Sequence, residues 1–164
     1  MTGSETASTI LTGIGATMVT DLWTVVRKRA FAVPLPNFAL VGRWIAHMPG
    51  GRFVHDSIAA GAPVRAESII GWSAHYLTGI SFAFLLPAIW GAGWLRNPTL
   101  GPALLVGICT VAAPFFVMQP AMGAGIAASR TPRPVTARSH SLVMHAVFGL
   151  GLFLAARLIS GQLP

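Results

Sequence analysis

The sequence predicts an all-α membrane fold, a bundle of four transmembrane helices with a short amphipathic interfacial helix in the first cytoplasmic loop. Three observations predict it. Only 9% of the 164 residues are charged while 54% are apolar, and the mean hydropathy is +0.68, so a soluble domain of this length would lack polar surface. Residues 97–129 contain no acidic or basic side chain, more than the roughly 20 residues a helix needs to cross a bilayer. The basic residues, finally, are placed as topology signals rather than as a patch.

The first span is expected over residues 9–27. A short tail with Glu5 and no basic residue precedes it and Arg27-Lys28-Arg29 follows it, the reverse of a cleavable leader. The first loop, 28–68, is too apolar for a linker. Within it Asn37 is placed to cap a helix that ends at Pro49-Gly50-Gly51. Phe38, Val41, Trp44, Ile45 and Met48 share one side of that helix, with Arg43 and His47 on the other. It can lie at the headgroup boundary or pack down on the bundle as a lid.

Arg52-Phe53-Val54-His55-Asp56-Ser57 follows as a polar run. Neighbouring His55 and Asp56 cannot face each other on a helix, so a hydrogen-bonded loop or an anchor to lipid phosphate is the simplest reading. Arg43, His55 and Asp56 are secondary site candidates. The second span is expected over 69–90 and the third over 99–120. Pro114 takes the amide donor from the carbonyl of Thr110 and should kink the third span. The Gln119–Gly125 exit is expected to be irregular or re-entrant, covered by protein or water. A second loop, 121–140, turns at Thr131-Pro132-Arg133-Pro134 into the fourth span, 141–159. No repeat is visible, and the whole chain, 1–164, reads as a single integral membrane domain.

Arg27, Lys28, Arg29, Arg43, Arg52, Arg65, Arg130, Arg133 and Arg138 lie in the two loops on one side, against Arg96 and Arg157 on the other. The positive-inside rule puts those loops in the cytoplasm and both termini outside, in a bacterial inner membrane. The net charge of +7 is thereby explained without nucleic acid, which is not an expected partner. The lipid bilayer is, and a homodimer would be needed if four helices had to form a pore. The single Cys109 offers no disulfide, redox pair or thiolate cluster.

Ionisable groups inside a span are costly and are site candidates by default. Asp21, His75 and His145 are such groups, all roughly 8 Å below the cytoplasmic interface at 1.5 Å per residue. Each lies on a stripe of small residues: Gly13, Thr17 and Thr24; Gly71, Gly79 and Ala83; Ser141 and Gly149. Such stripes mark helix contacts in lipid, so a buried polar centre with Gln119 as a fourth member is expected. The reading that asks least is structural, an Asp–His set bonding helices together. Proton- or ion-coupled transport of a small solute is the next reading. The third is a redox centre: b-type haem between His75 and His145, with glycines leaving room for the macrocycle, or a transition metal on His75, His145 and Asp21. Met118, Met122 and Met144 would favour copper if they converged. No nucleophile–base pair can be read from spacing, so no catalytic residue is assigned and an enzyme is not expected.

Several runs carry a resemblance: Gly13-Ile-Gly-Ala-Thr17 with Asp21-Leu-Trp23, Asn37 to Trp44, His55 to Ala59, Gly71 to Tyr76, Ala113 to Gly125, Ala128 to Pro134 and His145 to Gly149. They resemble a bacterial family of integral membrane proteins known as domain of unknown function two-nine-three-eight, over nearly the whole chain, 9–159. The resemblance implies a multi-pass membrane protein and supplies no activity, cofactor or site residue.

Overall fold

The structure, a computed structural model, describes residues 1–161. Helix α1 spans Gly3–Phe31, α2 Phe38–His47, α3 Glu67–Ala83, α4 Leu85–Trp90, α5 Gly93–Arg96, α6 Leu100–Cys109, α7 Gln119–Ala121 and α8 Pro134–Ser160. No strand occurs among the described residues. Among the described residues four helical segments are long and apolar enough to cross a membrane: Gly3–Phe31, Glu67–Trp90, Leu100–Ala121 and Pro134–Ser160.

Helix α1 starts six residues ahead of the expected span because the tail is itself a helix start. Thr2 Oγ1 accepts from the Glu5 amide at 3.2 Å and the Glu5 carboxylate accepts from the Thr2 amide at 2.8 Å, a capping box that satisfies amides with no partner in the helix. The second Glu5 oxygen takes Arg96 at 2.8 Å.

The described residues form two compact units: 1–35 with 76–110 and the chain from 143 onward, and 36–75 with 111–142. In the first, helices meet through small residues. A Cβ on Gly13 would lie 2.5 Å from Ile80 Cα, one on Gly107 2.5 Å from Gly149 Cα, and one on Gly151 2.9 Å from Ala16 Cα. Such separations bring backbones into van der Waals contact. The core around them is built largely of small and aliphatic residues, including Ala16, Ala83, Ala103, Val106, Leu152 and Ala156. Leu11, Met18, Leu22, Leu77, Leu105 and Leu158 point outward and are exposed. Buried Thr9, Thr17 and Thr20 return their hydroxyls to carbonyls one turn back, at 2.8, 2.8 and 2.9 Å, and so need no partner from another helix.

In the second unit Asn37 caps α2 as expected, its side chain accepting from the Ala39 amide at 3.2 Å, and Gly51 at φ 77° ends the 3₁₀ turn Met48–Gly50 that follows. Only glycine takes that conformation at no steric cost. Helix α2 packs on the start of α3, since a Cβ on Gly42 would overlap the Glu67 carbonyl and one on Gly71 the Phe38 carbonyl. Helix α6 stops at Cys109, and Pro114–Met118 then form a π-helical turn closed by the Gln119 amide on the Pro114 carbonyl. The exit is irregular, as expected. Gly123 and Gly125 have φ of 94° and 74°, and Ala127 and Ala128 are also left-handed.

Candidate functional site

Asp21 sits on α1 six residues before Arg27, and its Oδ2 accepts from Tyr76 Oη of α3 at 3.0 Å. That bond crosses 55 residues of sequence and ties two helices of the first unit. His145, on α8, meets Thr110 Oγ1 at 3.0 Å and the Gly107 carbonyl at 3.2 Å through Nδ1. Thr110 gives its own proton to the same Gly107 carbonyl at 2.7 Å. A carbonyl only accepts and that hydroxyl proton is committed, so His145 Nδ1 carries the hydrogen and donates. The intramembrane candidates of the first unit are therefore each fastened to a different helix.

His75 lies in the second unit, stacked on Phe38 with ring centroids 4.2 Å apart; Trp72 sits edge-on at 5.8 Å. Gln119 follows the π-helical turn, and its Oε1 is buried with no hydrogen-bond partner. The space that haem ligation needs beside His75 and His145 is filled by protein. Gly71 abuts the Phe38 carbonyl, Gly79 abuts Thr17, and a Cβ on Gly149 would lie 2.8 Å from the Ala103 carbonyl oxygen. These residues do not fit a macrocycle. Among the described residues no three His, Cys, Asp or Glu side chains are placed to hold a metal ion.

The secondary candidates of the first loop form the denser polar cluster. Arg43 makes a two-pronged bond to Glu67, 2.8 Å from Nε to Oε2 and 2.9 Å from Nη2 to Oε1. Its Nη1 reaches the carbonyls of Ile58, Ala59 and Gly61 at 3.4, 3.3 and 3.0 Å. The fork of the guanidinium suits both tasks at once, and the Glu67 hydrogen bonds raise the Arg43 pKa further above its usual value. Trp44 Nε1 donates to the Phe53 carbonyl at 2.8 Å.

One turn along α2 from Arg43, His47 Nδ1 lies 2.9 Å from His55 Nε2, and His47 Nε2 lies 3.1 Å from the Ala62 carbonyl. His55 is only 3% exposed, and its amide donates to the Ala121 carbonyl at 2.8 Å. Its Nδ1 is buried without a partner. Burial, with the charge of Arg52 and the neighbouring His47, holds the His55 pKa below the ordinary histidine value. Asp56 is exposed and contributes its backbone, which packs on Gly123.

Residues 10–159 match the family described as a protein of unknown function, DUF2938. The chain belongs to the DUF2938 family. No curated protein and no solved structure matches it. For this DUF2938 protein the sequence pointed to Arg43 and His55 but missed their direct partners. Glu67 lies 24 positions from Arg43 and His47 8 positions from His55. Neither pair lies on one helix: Arg43 and His47 are on α2, Glu67 is on α3 and His55 is in the loop. The one available signal was that Arg43 and His47 share a face four residues apart.

Proposed function

We propose that this DUF2938 protein is a non-enzymatic multi-pass protein of the bacterial inner membrane, its termini external and its two basic loops cytoplasmic. Asp21 and His145 act in it as helix tethers. The observation that carries the tether reading is the Tyr76–Asp21 bond at 3.0 Å, seconded by the His145–Thr110 contact on another helix pair. Bonds of this kind contribute about 0.6 to 2 kcal/mol each in lipid. The distribution of side chains supports the membrane setting. Small residues and self-bonded threonines are inside, while Leu11, Leu22, Leu77 and Leu158 are outside, a surface suited to lipid and costly in water.

Proton- or ion-coupled transport is the second reading. It is favoured by the π-helical turn at Pro114–Met118 next to the unpartnered Gln119 Oε1, because π-turns inside a helix accompany functional sites more often than chance. A dimer would supply the width that four helices lack.

Purified Asp21→Asn and His145→Gln variants separate the two readings. Tethering predicts lower resistance to unfolding by sodium dodecyl sulfate and unchanged proton permeability in reconstituted vesicles. A fully stable Asp21→Asn protein that loses a proton flux present in the wild type would replace tethering with transport. Alkaline phosphatase fusions test the orientation: activity is expected at the C-terminus and none after Arg65 or Arg133.

A further inference from the structure

The cluster between α2 and residues 51–62 contains a pair of imidazoles whose protonation is fixed by geometry. A carbonyl only accepts, so His47 Nε2, 3.1 Å from the Ala62 oxygen, carries a hydrogen. In the neutral ring His47 Nδ1 is then a lone pair. It faces His55 Nε2 at 2.9 Å, which must therefore donate. That leaves His55 Nδ1 as a bare acceptor, and it is the buried atom with no partner. We propose that His47 and His55 form a proton-operated latch: the pair holds together with no or one added proton, and a second breaks it and loosens residues 51–57 from α2, while Arg43 still holds the carbonyls of Ile58, Ala59 and Gly61.

The first added proton leaves the bond intact. If His47 becomes the cation, its Nδ1–H donates to a lone pair on His55 Nε2, and the His55 hydrogen moves to Nδ1. The second proton has no such solution. Both facing nitrogens then carry hydrogens, and two positive rings stand with centroids 5.1 Å apart. The nearby carboxylate whose charge reaches His47, Glu67 on α3, is already paired with Arg43. Arg43 on α2 is itself positive. Glu67 on α3 already spends Oε1 on Arg43 and Oε2 on Arg43 and the Val64 amide. Arg52 adds like charge on the loop, and Asp56 beside it is exposed to solvent. The Gln119–Gly125 segment, which receives the His55 amide, and the 3₁₀ turn Ile58–Ala60 contain no titratable side chain.

The sign follows from the lowered His55 pKa. The loosened loop has a histidine titrating near the ordinary value of about 6.5, so below that pH the open form binds more protons than the closed one. Closure is complete above about pH 6.5 and is lost as the pH falls through the lowered value of the closed state. Latching does not depend on the membrane orientation.

The test is nuclear magnetic resonance of the whole protein in detergent micelles with ¹⁵N-labelled histidine and tryptophan, titrated from about pH 8 to about pH 5. The expected result is a nitrogen–nitrogen coupling between the His47 and His55 rings at high pH. It disappears in acid together with a shift of the Trp44 indole N–H, which reports its bond to the Phe53 carbonyl. In His47→Asn, where one ring remains, the Trp44 signal should no longer follow pH in that range. Rings that titrate independently, or a Trp44 signal that stays put with both rings protonated, would overturn the latch. If His47→Asn fails to fold, His55→Gln provides the same comparison.

Discussion

In the first unit the buried hydroxyls of Thr9, Thr17 and Thr20 return to their own helix, whereas in the second Arg43, Trp44 and His47 reach out to carbonyls at 53 and 58–62. The first unit joins its helices by close backbone approach at Gly13, Gly107 and Gly151, with a few polar ties added. The second applies one such approach between helices, Gly42 with Gly71, and another between loops, Gly123 with the Asp56 backbone, and then uses long polar side chains to hold non-helical chain in place. In the proposed membrane setting, hydrocarbon surroundings account for the first choice, because a side chain that satisfies itself costs least where no water can help. A loop has no internal ladder for its carbonyls, so an Arg or a His must supply the donors.

The largest effect expected from breaking this contrast is at a close approach. Gly107→Val puts methyl groups where Gly149 backbone lies 2.5 Å from a Cβ, and neither backbone can give way. A loss of about 3 kcal/mol or more is predicted, read as a lower midpoint for unfolding by sodium dodecyl sulfate or as no monodisperse protein. Next comes Arg43→Met, which frees three loop carbonyls and leaves Glu67 without its ion pair. Trypsin should then cut at exposed Arg52 and Arg65 several-fold faster, with an intermediate rate for Arg43→Lys because an ammonium lacks the fork. Asn37→Ala removes the α2 cap and is the smallest change, about 1 kcal/mol. Hydrogen exchange at the first turn of α2 is expected to register it, with the helices of the first unit unaffected.

The contrast also explains what the sequence could reveal. The four apolar segments found among the described residues were legible because a helix able to cross lipid must be apolar at nearly every position, and the charge gaps at 69–95 and 97–129 express that rule directly. Helix α2 was legible from Asn37 and Pro49-Gly50-Gly51, since caps and breakers act locally. The capping box at Thr2 and Glu5 obeys an equally local rule and was there to be read. The small-residue stripes showed that backbones approach closely but not which ones: Gly71 meets α2, although its stripe suggested another span. Partner choice in the loop cluster was hidden for a different reason. The chain between His47 and His55 has no periodicity, so the pairing depends on turn geometry at Gly51 and on the bonds from His55 and Ile58 amides to the carbonyls of Ala121 and Met122.

The most direct test of the tether account is a double-mutant cycle on Asp21→Asn and Tyr76→Phe, measured as unfolding free energy in mixed micelles. The account predicts a coupling of about 0.6 to 2 kcal/mol, with the double variant less destabilised than the sum of the singles. Strictly additive losses would mean that the 3.0 Å bond holds nothing together, and the tether account would be wrong.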